Sequence, residues 1–276
     1  MKFGCCSFFV ATTPDRVGME RVETIARAGY DYVELPMAEL AALDDAAFAQ
    51  YKARLDAIGL PCPRANNFIP PAMRFTGEDT TPVSELKDYC ARAFGRANAL
   101  GIGLIVFGSF WSKRVPEGFS RQKAYAQLVE THRRVGEWAK EAELLIGIEP
   151  LRRPMCNIIN TYAEGVRLAQ DAGASSLRVV LDNYHLDAER EPPEVIFNEP
   201  GYLGHVHFSY PNLAGDDRFF PVDESEWDYA PFASAVRRAG YDGCVSVEAP
   251  ARDFERDASV SLALTKRLFE GEDASA

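Results

Sequence analysis

Short apolar runs and longer amphipathic segments alternate along the chain. The apolar runs carry few charges and are typical of parallel strands that are buried on both faces. Eight strands are predicted, at about 3–9, 32–35, 61–68, 104–108, 145–149, 179–182, 204–207 and 244–248.

A helical segment follows each strand. The pattern predicts helices at about 14–29, 44–59, 82–100, 120–142, 161–173, after Pro192-Pro193, 229–239 and 259–269. Strict alternation of eight strands with eight helices favours a closed (β/α)8 barrel, the TIM barrel, over an open doubly wound sheet. No glycine-rich phosphate fingerprint follows the first strand, which disfavours a dinucleotide-binding fold. No Pro/Gly/Ser-rich linker or low-complexity stretch divides the chain, so we predict one domain over 1–276.

Composition and charge narrow the class of partner. The formal charge of −11 argues against nucleic acid or an anionic membrane as a partner. The six cysteines form no CxxC pair and are interpreted as reduced thiols of a cytoplasmic protein. No run reaches transmembrane length, and the apolar start of the chain is better interpreted as a first strand than as a signal peptide.

Four of the predicted strands end in a residue able to bind a metal. In a barrel the carboxyl ends of the strands meet at one mouth, so these side chains are expected to converge. A buried carboxylate must be paired, hydrogen-bonded or metal-bound, because burying it alone costs several kcal/mol. Three acids and one imidazole suit Mn²⁺, Mg²⁺ or Co²⁺ better than a thiolate-bound zinc. The predicted metal ligands are Glu149, Asp182, His207 and Glu248.

Four further residues are candidate substrate contacts. His185 lies just past the end of its strand, and Arg218 follows the seventh strand. Trp111 is either an apolar wall of the pocket or ordinary packing, and Glu34 is either a substrate contact or a structural carboxylate in the same mouth. Any one strand-end acid could also be a helix cap or the partner of an arginine.

Two histidines are assigned no direct role. His205 shares a strand face with His207 but lies one layer deeper, so it is interpreted as an interior histidine and not as a ligand. His132 stands beside Arg133 and Arg134 on a predicted helix and is expected at the surface.

Five motifs then carry a resemblance to a known family. They are Ile148-Glu-Pro-Leu151, Leu181-Asp-Asn-Tyr-His185, Gly204-His-Val-His207, Arg218-Phe-Phe-Pro221 and Val245-Ser-Val-Glu248. In this order they resemble the xylose isomerase-like TIM-barrel superfamily, most of all its sugar phosphate isomerases/epimerases, which include the ketose 3-epimerases. The resemblance implies that the four predicted ligands hold one divalent metal ion, most often Mn²⁺, with Mg²⁺, Co²⁺ or Zn²⁺ as alternatives.

The resemblance also implies a reaction. Glu149 and Glu248 would act as an acid/base pair that removes and returns a proton next to the carbonyl of a keto-sugar, through an enediolate. His185 and Arg218 would contact sugar oxygens. We expect a small sugar as the substrate and a homo-oligomer, dimer or tetramer.

One departure from the family keeps alternatives open. The ketose epimerases carry a second glutamate six residues past the first, where this chain has Met155. Arg152 and Arg153 nearby could suit a more anionic or larger substrate. The main alternative is a metal-dependent lyase or dehydratase acting on a keto-inositol or a 3-keto-glycoside. A catalytically silent binding subunit is a second one, although it would not need all four ligands.

Two other branches of the superfamily fit less well. Its apurinic-site DNA endonucleases bind three zinc ions through many histidines, whereas this acidic chain has four histidines in total. Its hydroxypyruvate isomerases present a glutamine where His207 stands.

Overall fold

The computed structural model describes residues 1–271 and contains a closed barrel of eight parallel strands. In their order around the barrel these are β1 (Lys2–Cys6), β10 (Cys244–Val247), β7 (Leu203–Phe208), β6 (Leu177–Asp182), β5 (Leu145–Ile148), β4 (Leu104–Phe107), β3 (Arg64–Asn66) and β2 (Tyr32–Pro36). The TIM-barrel prediction is confirmed. A separate antiparallel hairpin, β8 (Tyr210–Asn212) and β9 (Asp217–Phe219), was not predicted.

Within residues 1–271, ten α-helices surround the barrel or cap its mouth. They are α1 (Val22–Ala28), α2 (Met37–Ala42), α3 (Asp45–Ile58), α4 (Val83–Leu100), α5 (Phe110–Lys113), α6 (Arg121–Glu141), α7 (Tyr162–Ala172), α8 (Asn183–Glu189), α9 (Ala230–Arg238) and α10 (Phe254–Glu270). The helices predicted at 82–100, 120–142, 161–173 and 229–239 lie within two residues of α4, α6, α7 and α9.

Alternation along the strands decides which side chains enter the barrel. On β7, Val206 and Phe208 belong to the apolar core between barrel and helices, so His205 and His207 point inward. On β10, Val245 and Val247 pack outward in the same way, which turns the following Glu248 inward. The register pairs Asp182 with His207, so neighbouring strands deliver their polar ends at one level.

The barrel interior has an apolar part and a polar part. Leu104, Val106 and Val180 form a small apolar cluster separate from the main core. The polar part comes from β2, β7 and β10, and its members are Tyr32, Glu34, His205, His207 and Ser246. Some of the predicted site residues therefore lie in the polar part of the barrel interior, and the others lie above it at the mouth.

Three helix predictions are wrong at their starts. The first helix begins at Val22 and not at Pro14, because residues 12–18 form a loop whose backbone N–H groups donate to the side chains of Asp15 and Glu20. The last begins at Phe254, five residues before the predicted start, because Asp253 caps it. After β6 the α-helix starts at once, since Asp182 Oδ1 accepts from the Tyr184 N–H, and the segment after Pro192 is only a 3₁₀ helix.

The surface position predicted for His132 is also wrong. Its side chain is fully buried on α6 and stacks on Phe107, with ring centroids 4.7 Å apart. Nδ1 bonds the Leu128 carbonyl at 2.8 Å, and burial lowers the pKa of His132 to about 4. Because α6 is amphipathic, it can bury a histidine on the face toward the barrel while the two neighbouring arginines lie on the other face.

The structure also bears on the predictions for the cysteines and for membrane-spanning segments. All six cysteines are buried and none forms a disulfide. No helix within residues 1–271 combines the length and the apolar character needed to cross a bilayer. The single domain over 1–276 stays a prediction, and its last five residues lie outside the described part of the chain.

Candidate metal centre and active site

Four side chains from consecutive barrel strands converge on one buried cluster. They come from β5, β6, β7 and β10 and are the predicted ligands Glu149, Asp182, His207 and Glu248. One possible ligand atom of each lies within 4.8 Å of the others. The cluster could therefore hold one metal ion.

His207 is held on both sides of its ring. Nδ1 lies 2.9 Å from Glu149 Oε1 and 3.2 Å from Glu248 Oε2, while Nε2 lies 3.0 Å from Glu34 Oε1. Because a carboxylate only accepts hydrogen bonds, Glu34 keeps a proton on Nε2 and Nδ1 faces the cluster. Metal-ligating histidines commonly donate their second ring N–H to a carboxylate in this way.

Glu34 lies beneath the cavity and is not part of its wall. It is fully buried, and its second oxygen bonds His205 Nε2 at 2.9 Å and the Ser246 hydroxyl. Both oxygens of Glu34 are occupied within the protein, which fits the second of its two interpretations from the sequence, a structural carboxylate, and not a substrate contact. His205 is interior, as expected, and its Nδ1 has no partner among the described residues.

We expect Glu34→Gln to weaken divalent-metal binding by about 10–100-fold, the usual cost of losing an outer-shell partner. The amide can place an N–H against His207 Nε2, which disfavours the tautomer with Nδ1 free. Calorimetric titration of the metal-stripped protein with Mn²⁺ measures this. Glu39→Gln is the matched control, since Glu39 bonds Asn67 on the cavity wall away from the cluster. Equal affinities of wild type and Glu34→Gln would contradict the role.

Arg218 and His185 reach the cluster from the loops above the barrel. Arg218 on β9 donates to Asp182 Oδ2 at 2.9 Å and lies 2.8 Å from Glu248 Oε2. His185 on α8 places Nε2 3.6 Å from Asp182 Oδ2, and burial lowers its pKa to about 4. A neutral imidazole and a guanidinium thus border the carboxylates on the cavity side.

The charges of the cluster suit a divalent cation. Within residues 1–271, Arg218 is the one arginine that pairs with any of the three carboxylates, and it pairs with Asp182 and Glu248 but not with Glu149. The cluster therefore keeps a buried excess of negative charge. Burial and the neighbouring Glu248 raise the pKa of Glu149. Burial alone would lower the pKa of His207, but Glu248 and Glu34 outweigh it and raise that pKa. Both shifts favour the protonated forms, as expected for a cluster whose negative charge suits a cation.

Two residues that the sequence did not point to position Glu149. A Cβ at Gly108 would overlap Glu149 Oε2, so only glycine leaves room for that carboxylate. Lys113 is fully buried, and its Nζ donates to the Glu149 carbonyl at 2.8 Å. Lysine is rarely buried, so its type predicts a surface position.

A cavity of about 480 Å³ opens above the cluster. Glu149, Glu248, His185 and Arg218 line it, and so does Trp111, whose side chain is half exposed. Met155 also lines it. Arg152 and Arg153 do not line it: they pair with Asp216 and Glu189.

An eight-stranded barrel with a carboxylate–histidine cluster at the carboxyl ends of its strands defines a barrel enzyme with a candidate metal centre. The family model described as "Xylose isomerase-like TIM barrel" matches residues 22–268. The chain belongs to this family, which confirms the resemblance seen in the sequence.

Relatives with known names agree with this membership. The chain is 24% identical over 232 residues to the D-psicose 3-epimerase of Agrobacterium fabrum, covering 82% of this chain and 77% of that one. It is 27% identical over 238 residues to the 3-dehydroshikimate dehydratase of Pseudomonas putida, covering 83% of this chain and 35% of that one. The solved D-psicose 3-epimerase of Clostridium cellulolyticum superimposes with a TM-score of 0.84 at 20% identity, covering 98% and 99%.

Proposed function

We propose that this protein is a divalent-metal-dependent epimerase or isomerase of a keto-sugar or sugar derivative. The observation that carries the proposal is the position of Glu149 and Glu248, whose oxygens flank His207 Nδ1 in the floor of one cavity. Relationship to the 3-epimerases supports a sugar substrate. Mn²⁺ is the proposed metal, and Mg²⁺, Co²⁺ and Zn²⁺ are the alternatives.

The metal would be held by Glu149, Asp182, His207 Nδ1 and Glu248. Bound there, a divalent cation stabilises the negative charge that develops on a ketone when the neighbouring carbon loses a proton.

The protein's own part in the reaction is proton transfer between two carboxylates. One glutamate takes the proton of the carbon next to the carbonyl, and the C–H electron pair moves into the carbonyl to leave an enediolate. The other glutamate, initially protonated, gives its proton to the opposite face of that carbon. The two glutamates then exchange protons with solvent to reset. Arg218 and His185 border the same space and would hold the substrate's oxygens.

The experiment that tests this proposal is solvent isotope exchange. The Mn²⁺-loaded protein is incubated in D₂O with D-psicose, D-fructose and 3-keto-glucosides, and products are analysed by NMR and mass spectrometry. We expect one deuterium at the carbon next to the carbonyl, with no exchange after EDTA treatment. Absence of exchange from every substrate with a fully loaded protein would contradict the proposal.

Elimination is the second candidate, favoured by the similarity to a dehydratase. It begins with the same proton abstraction but then expels a leaving group from the next carbon in place of reprotonation. The product mass distinguishes the two reactions. An epimer keeps the substrate mass apart from deuterium, whereas an elimination product has lost one water or, from a 3-keto-glycoside, the alcohol or phenol of the aglycone.

A further inference from the structure

The cavity above the cluster has a buried polar floor and a partly exposed apolar rim. Glu149, Glu248 and His185 are each less than a tenth exposed and form the floor. The rim residues are half-buried or exposed, and most of them are apolar. They include Phe8, Phe9, Phe110, Trp111 and Met155. A ligand that fills the cavity meets polar groups at one end and aromatic carbon at the other.

The floor offers one hydrogen-bond acceptor that the protein does not use. Asn66, at the end of β3, donates from Nδ2 to Glu248 Oε1 at 3.1 Å. Because the carboxylate can only accept, this bond fixes which way the amide faces. Asn66 Oδ1 is then buried without a partner among the described residues, in a side chain that lines the cavity. A buried acceptor of this kind is matched by a ligand hydroxyl beside Glu248.

The rim offers aromatic faces instead. Trp111 is 51% exposed and packs on Phe110, with ring centroids 4.3 Å apart. Phe8 and Phe9 form an edge-to-face pair at 5.4 Å. An exposed tryptophan at the rim of a cavity gains most from a ligand that covers it.

Three polar side chains of the rim already form hydrogen bonds within the protein. Glu39 accepts from Asn67 Nδ2 at 2.9 and 2.8 Å, and Ser109 Oγ accepts from the Ile69 N–H at 2.9 Å. Asp217 is exposed and accepts from the Arg218 N–H at 2.7 Å. Hydroxyls far from the reacting carbon would therefore compete with these existing bonds.

We infer that the substrate is amphipathic: a keto-sugar head on the floor, with a hydroxyl bonded to Asn66, and an apolar or aromatic substituent against the rim around Trp111. A keto-glycoside with an apolar aglycone has this form, and a free ketose does not. A cavity of about 480 Å³ is in the range that binds drug-sized ligands. This inference rests on the proposed function for the identity of the head group.

The experiment compares two ligands that share one keto-sugar head and differ in the aglycone. Phenyl and methyl 3-keto-β-D-glucopyranosides are incubated with the Mn²⁺-loaded protein in D₂O, with D-psicose as the free ketose. The phenyl compound is expected to exchange with a kcat/KM about tenfold or more above that of the methyl compound, as a well-filled apolar pocket gives. Trp111→Ala should reduce that ratio to near one, and Asn66→Ala should lower both rates by the same factor. Val260→Ala, an exposed apolar residue on α10, is the control that keeps the wild-type ratio.

The outcomes separate the inference from the proposed function. Equal rates for the phenyl and methyl compounds, or a free ketose that exchanges as fast as the phenyl compound, would overturn the inference and leave the epimerase proposal standing. If nothing exchanges, the proposed function fails, and calorimetric binding of the unreactive phenyl and methyl β-D-glucopyranosides still tests the amphipathic site. Tighter binding of the phenyl compound, lost in Trp111→Ala, would support it, and equal binding would overturn it.

Discussion

Replacing either Glu149 or Glu248 by glutamine is expected to abolish epimerisation, with kcat reduced by at least about 10²–10⁴-fold. The two carboxylates lie on either side of one histidine nitrogen, so neither can do the other's work on the opposite face of the substrate. Each variant keeps one base. We therefore expect each variant to place deuterium on one of the two epimers without inverting its stereocentre. The two variants should act on opposite epimers.

Metal content must be measured alongside, because both glutamates are also proposed ligands. Elemental analysis of each variant shows whether lost activity reflects lost metal. Glu39→Gln, a carboxylate on the same cavity wall, is expected to stay within about tenfold of wild type. Full epimerisation by Glu149→Gln or Glu248→Gln with bound metal would refute the two-base mechanism.

Asp182→Asn removes the third carboxylate of the cluster and is expected to weaken Mn²⁺ binding more than Glu34→Gln does. For Glu34→Gln, which affects the metal only through His207, we expect a loss of about 10–100-fold. Asp182 is almost fully buried, and its oxygens face the cluster, the Tyr184 N–H and Arg218. An asparagine can still cap α8 but carries no charge for a cation.

Thermal unfolding measures the same effect independently of activity. A ligand at 100 times its dissociation constant stabilises a protein by about 2.7 kcal/mol, so Mn²⁺ should raise the melting temperature of the stripped wild type. The rise should be absent or much smaller in Asp182→Asn. Asp187→Asn, further along α8, should respond like wild type. Equal responses of all three proteins would count against the ligand set.

The four-residue cluster could be predicted from the sequence because strand geometry does most of the work. In a parallel barrel, a polar residue that ends an apolar run faces the mouth, and alternation fixes its direction. Strand geometry likewise turns Asn66, at the end of β3, toward the mouth, but this residue was not among the predicted candidates. An amide is a weaker signal of metal chemistry than an acid, and strand three is only three residues long.

Other parts of the site depend on contacts that local patterns do not encode. Glu34 and His207 belong to strands that are not neighbours and meet across the barrel interior. Arg218 was a candidate from the sequence, but the hairpin that positions it was not predicted, because its strands have three residues each and are too short to show a period. Lys113 is buried under the strand ends, against the ordinary preference of its type.

The most direct test of the central claim is anomalous diffraction from crystals grown with Mn²⁺. We predict one strong peak bonded to Glu149, Asp182, His207 Nδ1 and Glu248, with Glu34 still bonded to His207 Nε2. A peak elsewhere, or none while Arg218 stays bridged between Asp182 and Glu248, would contradict it.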